Sequence, residues 1–231
     1  ITFSVGATSA SAGDGTYQYS GNIQSTTAGN TMSHSGQTAG LAEMYVDPSN
    51  TRLFGIFDGS NKVSKYTCTD AWALDGCSYS QSSNVMNDNN SSGLEFSHDG
   101  TNMWHVGSGV DYVYYHTLST AWDLSTITYD VNSLSIASSS AHSTGFQWVN
   151  SGNQFMLGDQ ESIGGGIGTT HRTVYEEWGC TTPYDITTCS ESESFTMALG
   201  QSQGNTMSPD GTVIIGSSGG VYQASTCLLY T

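Results

Sequence analysis

The stretch that decides the fold is GLEFSHDGTNMWHVGSGVDYVYYHTLSTAWDLSTITYD, residues 93–130. It contains short runs of alternating polarity, a His-Asp-Gly segment at residues 98–100 and an Ala-Trp-Asp-Leu segment at residues 121–124. Alternating polarity is typical of β-strands, and Asp-Gly is typical of the tight turns between them. The stretch therefore predicts several short strands separated by turns.

The same pattern recurs along the chain. Related first halves begin at Gly40, Gly93, Thr144 and Gly204, and each has an alternating strand, a turn and an apolar strand. The second half, DYVYYHTLSTAWDLSTITYD, matches NKVSKYTCTDAWALDGCSYS, RTVYEEWGCTTPYDITTCSES and the shorter GGVYQASTCLLYT. Leu41 and Leu94 are 53 residues apart, and Gly93 and Gly145 are 52 apart. About four strands in a period near 50 residues are typical of a propeller blade.

The sequence therefore predicts an all-β fold, a β-propeller of about four four-stranded blades. The repeats span approximately residues 40–87, 88–138, 139–198 and 199–231. The fourth repeat ends before its last strand, whereas the segment Thr16–Gln24 alternates like that strand. We therefore expect residues 1–39 to form an N-terminal segment, a closing strand and a linker, that completes the last blade. A rival interpretation is that the chain is a fragment of a longer propeller.

Cysteine positions follow the repeat. Cys68 and Cys77 are nine residues apart, as are Cys180 and Cys189, and both pairs occupy the same place in their repeats. The second repeat has Leu118 and Ile127 there, and a metal-binding pair would hardly be replaced by two apolar residues. The pattern predicts the disulfides Cys68–Cys77 and Cys180–Cys189, which indicate an oxidising environment.

Cys227 matches Cys68 and Cys180, but the chain ends at Thr231, before a partner at the same spacing. We expect Cys227 to be unpaired or bonded to another chain, unless the protein continues beyond the given residues.

The chain is strongly acidic. Of its 231 residues, 20 are Asp or Glu and four are Lys or Arg, which gives a formal net charge of -16. Nucleic acid and anionic membrane surfaces are recognised by Lys and Arg, so neither is expected as a partner. No run of 18 apolar residues occurs, so no segment is expected to insert into a membrane. An extracellular or virion-surface location fits this composition and the predicted disulfides.

The segment FSHDGTNMWHVGSGVDYVYYHTLSTAWDLSTITY, from Phe96 to Tyr129, resembles repeats of large, often marine, bacteriophage and bacterial surface proteins. The resemblance covers roughly residues 40–231. It implies a β-propeller in a virion or cell-surface protein with a structural or adhesive role. It carries over no catalytic residue, because the motif consists of core and turn positions.

No catalytic constellation is apparent in the sequence. The six histidines show no metal-binding spacing, and His98 lies in a predicted turn. No nucleophile elbow is apparent either, since VGSGV at residues 106–110 is a strand-to-strand turn rather than the strand-to-helix turn that such an elbow requires. We therefore expect no catalytic residue, no metal centre and no cofactor. Asp58, Asp111 and Asp159 fall near equivalent turns and are the residues through which Ca²⁺ would bind if it binds at all.

Other candidate positions lie in loops and at corners. A contact loop is predicted from its length at Ser162, Ile163, Gly164, Gly165, Gly166 and Ile167. Glycosylation sequons overlap at Asn89 and Asn90 and would matter only in a secreted eukaryotic protein. The corner residues are Trp72, Trp122 and Tyr184, and they are expected to pack between blades. Any of Trp104, Trp148 and Trp178 that faced outward would be a candidate for carbohydrate contact.

Two functions remain after these exclusions. The first is a non-enzymatic extracellular or virion-surface module that mediates structural or adhesive contacts with other subunits of the assembly or with a host glycan. The alternative is a secreted propeller enzyme acting on carbohydrate, a hydrolase or a lyase, which needs clustered acids at the centre of the ring. The first is favoured because the sequence shows no catalytic set, so the protein is predicted not to be an enzyme.

Overall fold

A computed structural model describes the chain from residue 41 onward, with gaps. It describes residues 41–57, 61–71, 73–84, 86, 90–107, 109–136, 143–163, 170–197, 202–207, 213–218 and 221–226. The fold is all-β, as predicted, and no α-helix occurs among these residues. In this part of the chain no helix has the length and apolar character needed to cross a membrane.

Fifteen strands are present in the described ranges. They are β1 (Leu41–Val46), β2 (Arg52–Phe57), β3 (Lys62–Cys68), β4 (Cys77–Ser82), β5 (Ser91–Phe96), β6 (Asn102–Gly107), β7 (Tyr112–Leu118), β8 (Ile127–Ser135), β9 (Ser143–Val149), β10 (Gln154–Ile163), β11 (Thr170–Cys180), β12 (Cys189–Met197), β13 (Ser202–Met207), β14 (Val213–Ser218) and β15 (Val221–Thr226). Single 3₁₀ turns precede β4, β8 and β12, at Leu74–Gly76, Leu124–Thr126 and Ile186–Thr188, and another, Asn150–Gly152, lies between β9 and β10.

The strands form four antiparallel meanders, which we call blades 1 to 4. Blade 1 is β1-β2-β3-β4, blade 2 is β5-β6-β7-β8, blade 3 is β9-β10-β11-β12 and blade 4 is β13-β14-β15. The first strands of successive blades contact one another in the order β1, β5, β9, β13, and β13 also contacts β1. Sheets arranged around their first strands in this way form a propeller-like fold. We call β1, β5, β9 and β13 the inner strands.

Strand pairing corrects the alignment of the first two repeats. Glu43 pairs with Ile56 next to a bulge in β1, and Gly93 pairs with Val106 next to the corresponding bulge in β5. Glu43, rather than Gly40, therefore corresponds to Gly93, and the spacing of these two blades is 50 residues rather than 53. The alignment on Gly-Leu was wrong because a dipeptide can recur without sharing its strand register.

Gly145 and Gly204 occupy the same bulge position in blades 3 and 4. At Gly93 an added Cβ would lie 3.0 Å from the backbone nitrogen of Phe146, so a side chain there would require the inner strands of blades 2 and 3 to move slightly apart. Blade 1 differs, because it places the Glu43 side chain at this position.

The predicted turns have the expected backbone conformations. Asn50 and Gly100 both have positive φ, and each donates its N–H to a carbonyl three residues earlier, that of Asp47 or Ser97. The segment at residues 150–152 also has positive φ throughout. Asn and Gly adopt this conformation at low cost, which explains why these residue types mark the turns.

The hydrophobic core lies between the blades. One cluster joins blades 1 and 2 around Phe54, Phe96 and Trp122, and a second joins blades 2 and 3 around Trp104 and Phe155. Both faces of blade 2 are thus buried, as expected for sheets packed face to face. The predicted role of Trp122 as a packing corner is confirmed, because its side chain is only 9% exposed and its ring lies 5.6 Å from that of Phe96.

Polar contacts also join blades 1 and 2. The Lys65 ammonium donates to the Trp122 carbonyl at 2.9 Å, and the Gln81 amide donates to Asp123 at 2.6 Å while its oxygen accepts from the Leu124 N–H at 3.0 Å. The Arg52 guanidinium lies 5.3 Å from the centre of the Trp122 ring, a cation–π contact. Several bonds of different chemistry therefore fix the two blades relative to each other.

Both predicted disulfides are present. Cys68–Cys77 links β3 to β4, and Cys180–Cys189 links β11 to β12, in each case between residues that pair directly across the two strands. Leu118 and Ile127 form the same cross-strand pair in blade 2. The comparison of repeats therefore identified the pairing correctly.

The longer third repeat extends a hairpin. Strands β10 and β11 stay paired as far as Ile163 and Thr170, beyond the bulge that ends the pairing of β10 with β9 at Asp159 and Ser143. Ser162 and Ile163, predicted to belong to a loop, are therefore strand residues, because the antiparallel ladder continues through them. Asp159 was expected near a turn, but it lies within β10 with a buried side chain.

Several predictions fall outside the described residues. They concern the closing strand Thr16–Gln24, the partner of Cys227, the sequon residue Asn89, Asp58, Trp72 and the loop positions Gly164, Gly165, Gly166 and Ile167.

Candidate functional sites

Two carboxyl groups lie on the inner strands. Glu43 is on β1 and accepts the Leu94 N–H from β5 at 2.8 Å. Burial raises the pKa of Glu43 well above its usual range, while the Leu94 and Phe146 backbone N–H groups act in the opposite sense. Since Leu94 and Phe146 belong to blades 2 and 3, the Glu43 carboxyl meets backbone from two other blades.

Glu95 is close enough to Glu43 for its charge to raise the pKa of Glu43 further. Burial raises the pKa of Glu95 itself to about 8, although the side chain keeps some accessible surface. We call Glu43 and Glu95 the inner carboxyl pair. Two interacting carboxyl groups with raised pKa values have the chemical character of general acids, because a raised pKa favours the protonated form that can donate a proton.

Two histidines form a second buried group, between blades 1 and 2. The His105 Nδ1 lies 2.9 Å from the His116 Nε2, and the side chains are 0% and 2% exposed. The Tyr114 ring stacks on His105, with centroids 4.7 Å apart, and the Tyr129 ring lies 5.5 Å from His116. This pair has no signal in the sequence, because the two residues are 11 apart and come together through the β6–β7 pairing.

Exposed tyrosines occupy one repeated position on the outermost strands. Tyr79 on β4 pairs with Tyr66, and Tyr129 on β8 pairs with His116. Their side chains are 52% and 39% exposed, which places them among the most exposed large apolar residues described. We call Tyr79 and Tyr129 the outer tyrosines. Their spacing of 50 residues, equal to that of the repeat, is the signal that would have identified them in the sequence.

Each outer tyrosine is held by neighbouring groups. The Tyr79 ring meets Tyr66 edge-on at 6.0 Å, and its hydroxyl lies 2.9 Å from the Ser82 hydroxyl. The exposed residues beside Tyr79 on β4 are Ser78 and Ser80. A fixed aromatic ring next to the Ser82 hydroxyl offers apolar area together with hydrogen-bonding partners.

The structure also locates other residues singled out in the sequence. His98 is an exposed turn residue, as predicted, and Asn90 is exposed immediately before β5. Trp104 and Trp178 are buried, and Trp148 is partly buried against Trp104, so no outward-facing tryptophan offers a carbohydrate contact among them. In the described part of the chain no three His, Cys, Asp or Glu side chains come close enough together to hold a metal ion.

No protein-family model and no curated protein sequence matches the chain. Solved structures do resemble it. A protein from Lactobacillus plantarum matches with a TM-score of 0.54 at 13% identity, over 83% of this chain and 52% of its own. A Bacteroides uniformis protein provisionally assigned as a 6-phosphogluconolactonase matches with a TM-score of 0.52 at 8% identity, over 85% and 54%. A chain of the nidogen/laminin complex matches with a TM-score of 0.53 at 10% identity, over 81% and 61%.

These similarities show a shared propeller-like fold. The chain spans only about half to three fifths of the length of the structures it matches. The absence of a catalytic motif led to the prediction that the protein is not an enzyme, and this was wrong, because the fold is shared with a provisionally assigned lactonase. A fold of this kind supports several functions, so the missing motif gave no ground for that exclusion.

Proposed function

We propose that the chain is a surface-displayed propeller, part of a virion or another extracellular assembly, that binds neutral carbohydrate through the outer tyrosines. The observation that carries the proposal is the repeated position of Tyr79 and Tyr129 on the outermost strands of neighbouring blades, each with an exposed ring backed by another aromatic side chain. Sugar rings present C–H groups that pack on aromatic faces and hydroxyl groups that bond to hydroxyls such as those of Tyr79 and Ser82.

The composition supports a neutral ligand. Only four Lys and Arg residues occur against 20 acids, so an anionic glycan would be repelled. Two disulfides weakly favour an oxidising, extracellular environment. Contacts with other subunits of the surface assembly belong to the same proposal.

Binding to immobilised dextran, mannan, xylan and galactan tests this function. For a polysaccharide that binds, we expect Tyr79→Ser/Tyr129→Ser to weaken the affinity by about tenfold or more, since each lost aromatic contact is worth about 0.5–1.5 kcal/mol. Glu191→Gln is the matched control, because Glu191 holds the same position in blade 3 and is exposed. Absence of binding to all four polysaccharides, or equal binding by the double variant, would refute the proposal.

A second candidate function, hydrolysis of a glycosidic bond, is favoured by the inner carboxyl pair. Glycoside hydrolases use two carboxyl groups, one of which acts as a general acid with a raised pKa. Burial gives Glu95 such a pKa, about 8. Release of reducing sugar from the same polysaccharides tests this function. Glu43→Gln and Glu95→Gln should each abolish the release and Glu191→Gln should not, and activity retained in both inner variants would exclude these residues.

A further inference from the structure

The buried histidine pair has properties that neither proposed function uses. His105 and His116 lie on strands β6 and β7, on the face of blade 2 that packs against blade 1. Their ring nitrogens are 2.9 Å apart, so one ring donates a hydrogen and the other accepts it. Such a bond requires that the accepting nitrogen carries no proton.

The second nitrogen of His105 adds to this constraint. His105 Nε2 is buried and has no hydrogen-bond partner among the residues that the structure describes. A protonated His105 would therefore carry a buried N–H donor and a positive charge without compensation. Burial, with the charge of His116 as a smaller cause, lowers the pKa of His105 well below its usual range.

Tyrosine rings contact both histidines of the pair. Tyr114 stacks on His105 and lies 5.9 Å from Tyr112, and Tyr129 lies against His116. From blade 1, the Lys65 ammonium donates to the Trp122 carbonyl. Glu43 of β1 bonds to the Leu94 N–H. Glu95 of β5 lies on the strand next to β6 and faces the opposite side of it from Leu94 and Phe96, which pack toward blade 1.

We propose that the His105–His116 pair is an acid-sensitive element that loosens blade 2 when the pH falls, and in particular its outermost strand β8. Protonating both rings would place two donors and two positive charges face to face between the blades. The rings would then separate, and Tyr129, which packs on His116, would lose its support. Blade 1 lacks the element, because Gly55 and Tyr66 hold the corresponding positions.

The direction in which pH changes the stability of blade 2 follows from the shift in the pKa of His105. The pKa of His105 is lower in the folded chain than the value of about 6.5 expected in the unfolded chain. The unfolded state therefore binds more protons, and the stability of blade 2 falls as the pH falls below about 6.5. The raised pKa values of Glu43 and Glu95 act in the opposite direction, so a local measurement is needed to separate the two effects.

Hydrogen exchange at pH 7 and pH 5, corrected for the intrinsic exchange rate, tests the proposal. We expect the amides of β8 to exchange about tenfold faster at pH 5, whereas those of β4, the same strand in blade 1, should change less than about twofold. This readout needs no ligand, so it can succeed or fail independently of carbohydrate binding.

Two substitutions borrowed from other blades provide the decisive variant. Blade 3 has Leu157 at the position of His105, and blade 1 has Tyr66 at the position of His116. His105→Leu/His116→Tyr should abolish the pH effect on β8, and His98→Asn, in an exposed turn, should leave it intact. If the double variant does not fold, each single variant should still reduce the effect. Equal acceleration of β8 and β4, or an effect that persists without the histidines, would overturn the proposal.

Discussion

At the residue scale, two turn glycines are required by the aromatic rings packed over them. A Cβ on Gly100 would lie 2.1 Å from the Trp122 ring, and a Cβ on Gly152 would lie 2.5 Å from the Tyr184 ring. Both glycines also have positive φ, which a residue with a Cβ adopts at a cost. In blades 2 and 3, therefore, the aromatic corner residue can pack over the turn only because the turn residue beneath it is glycine.

Gly100→Ala should lower the free energy of unfolding by about 2–4 kcal/mol, because the added methyl group displaces Trp122 from the core between blades 1 and 2. Urea denaturation followed by tryptophan fluorescence measures the change. Gly179→Ala is the control, since its nearest neighbour would be Ser192 at 4.0 Å, and it should cost less than about 1 kcal/mol. Equal losses in the two variants would contradict the explanation.

Glu95 makes a pH-dependent contribution of its own. Its folded pKa of about 8 is above the ordinary value of 4.5, so the folded state favours the protonated form. The contribution is complete below pH 4.5 and is lost as the pH rises through 8. Glu95→Gln, which mimics the protonated carboxyl, should therefore be more stable than the wild type at pH 8, by about 2 kcal/mol, and nearly equal to it at pH 4.5. Urea midpoints at the two pH values measure this difference, and a constant difference would refute it.

At the scale of the strand pair, the two disulfides hold the outermost strands of blades 1 and 3 to their neighbours. Cys68 is buried with Leu53, Phe57 and Tyr66, so it also contributes apolar packing. Blade 2 achieves the same closure with Leu118 and Ile127 and has no covalent link. The corner therefore tolerates either a disulfide or an apolar pair.

The two contributions can be separated by substitution. Cys68→Ser/Cys77→Ser loses the cross-link and the packing, and we expect it to be less stable than the wild type by at least about 2–3 kcal/mol. Cys68→Leu/Cys77→Ile copies blade 2 and should recover part of that loss through apolar burial. Thermal unfolding under oxidising conditions measures both variants. Identical melting temperatures for the two variants would show that packing at this corner contributes nothing.

At the scale of the whole molecule, contacts between blades determine how the sheets are held together. Gln81 of blade 1 forms two hydrogen bonds to blade 2, with Asp123 and with the Leu124 N–H. Gln81→Leu keeps most of the side-chain volume but leaves the Leu124 N–H without this acceptor. We expect a loss of about 1–3 kcal/mol in urea denaturation, against almost none for the exposed Ser78→Ala. No difference between the two variants would contradict the role of this contact.

The sequence by itself determined the repeat, the all-β fold, the turns and the two disulfides, because each depends on residue type at a regular spacing along the chain. The tertiary structure was needed for the register of β1, for Glu43 at a position where other blades have glycine, and for the His105–His116 pair. These features depend on a bulge, on burial and on neighbouring strands. A bulge shifts the register by one residue without a sequence signal, and burial changes the chemistry of a side chain without changing its identity.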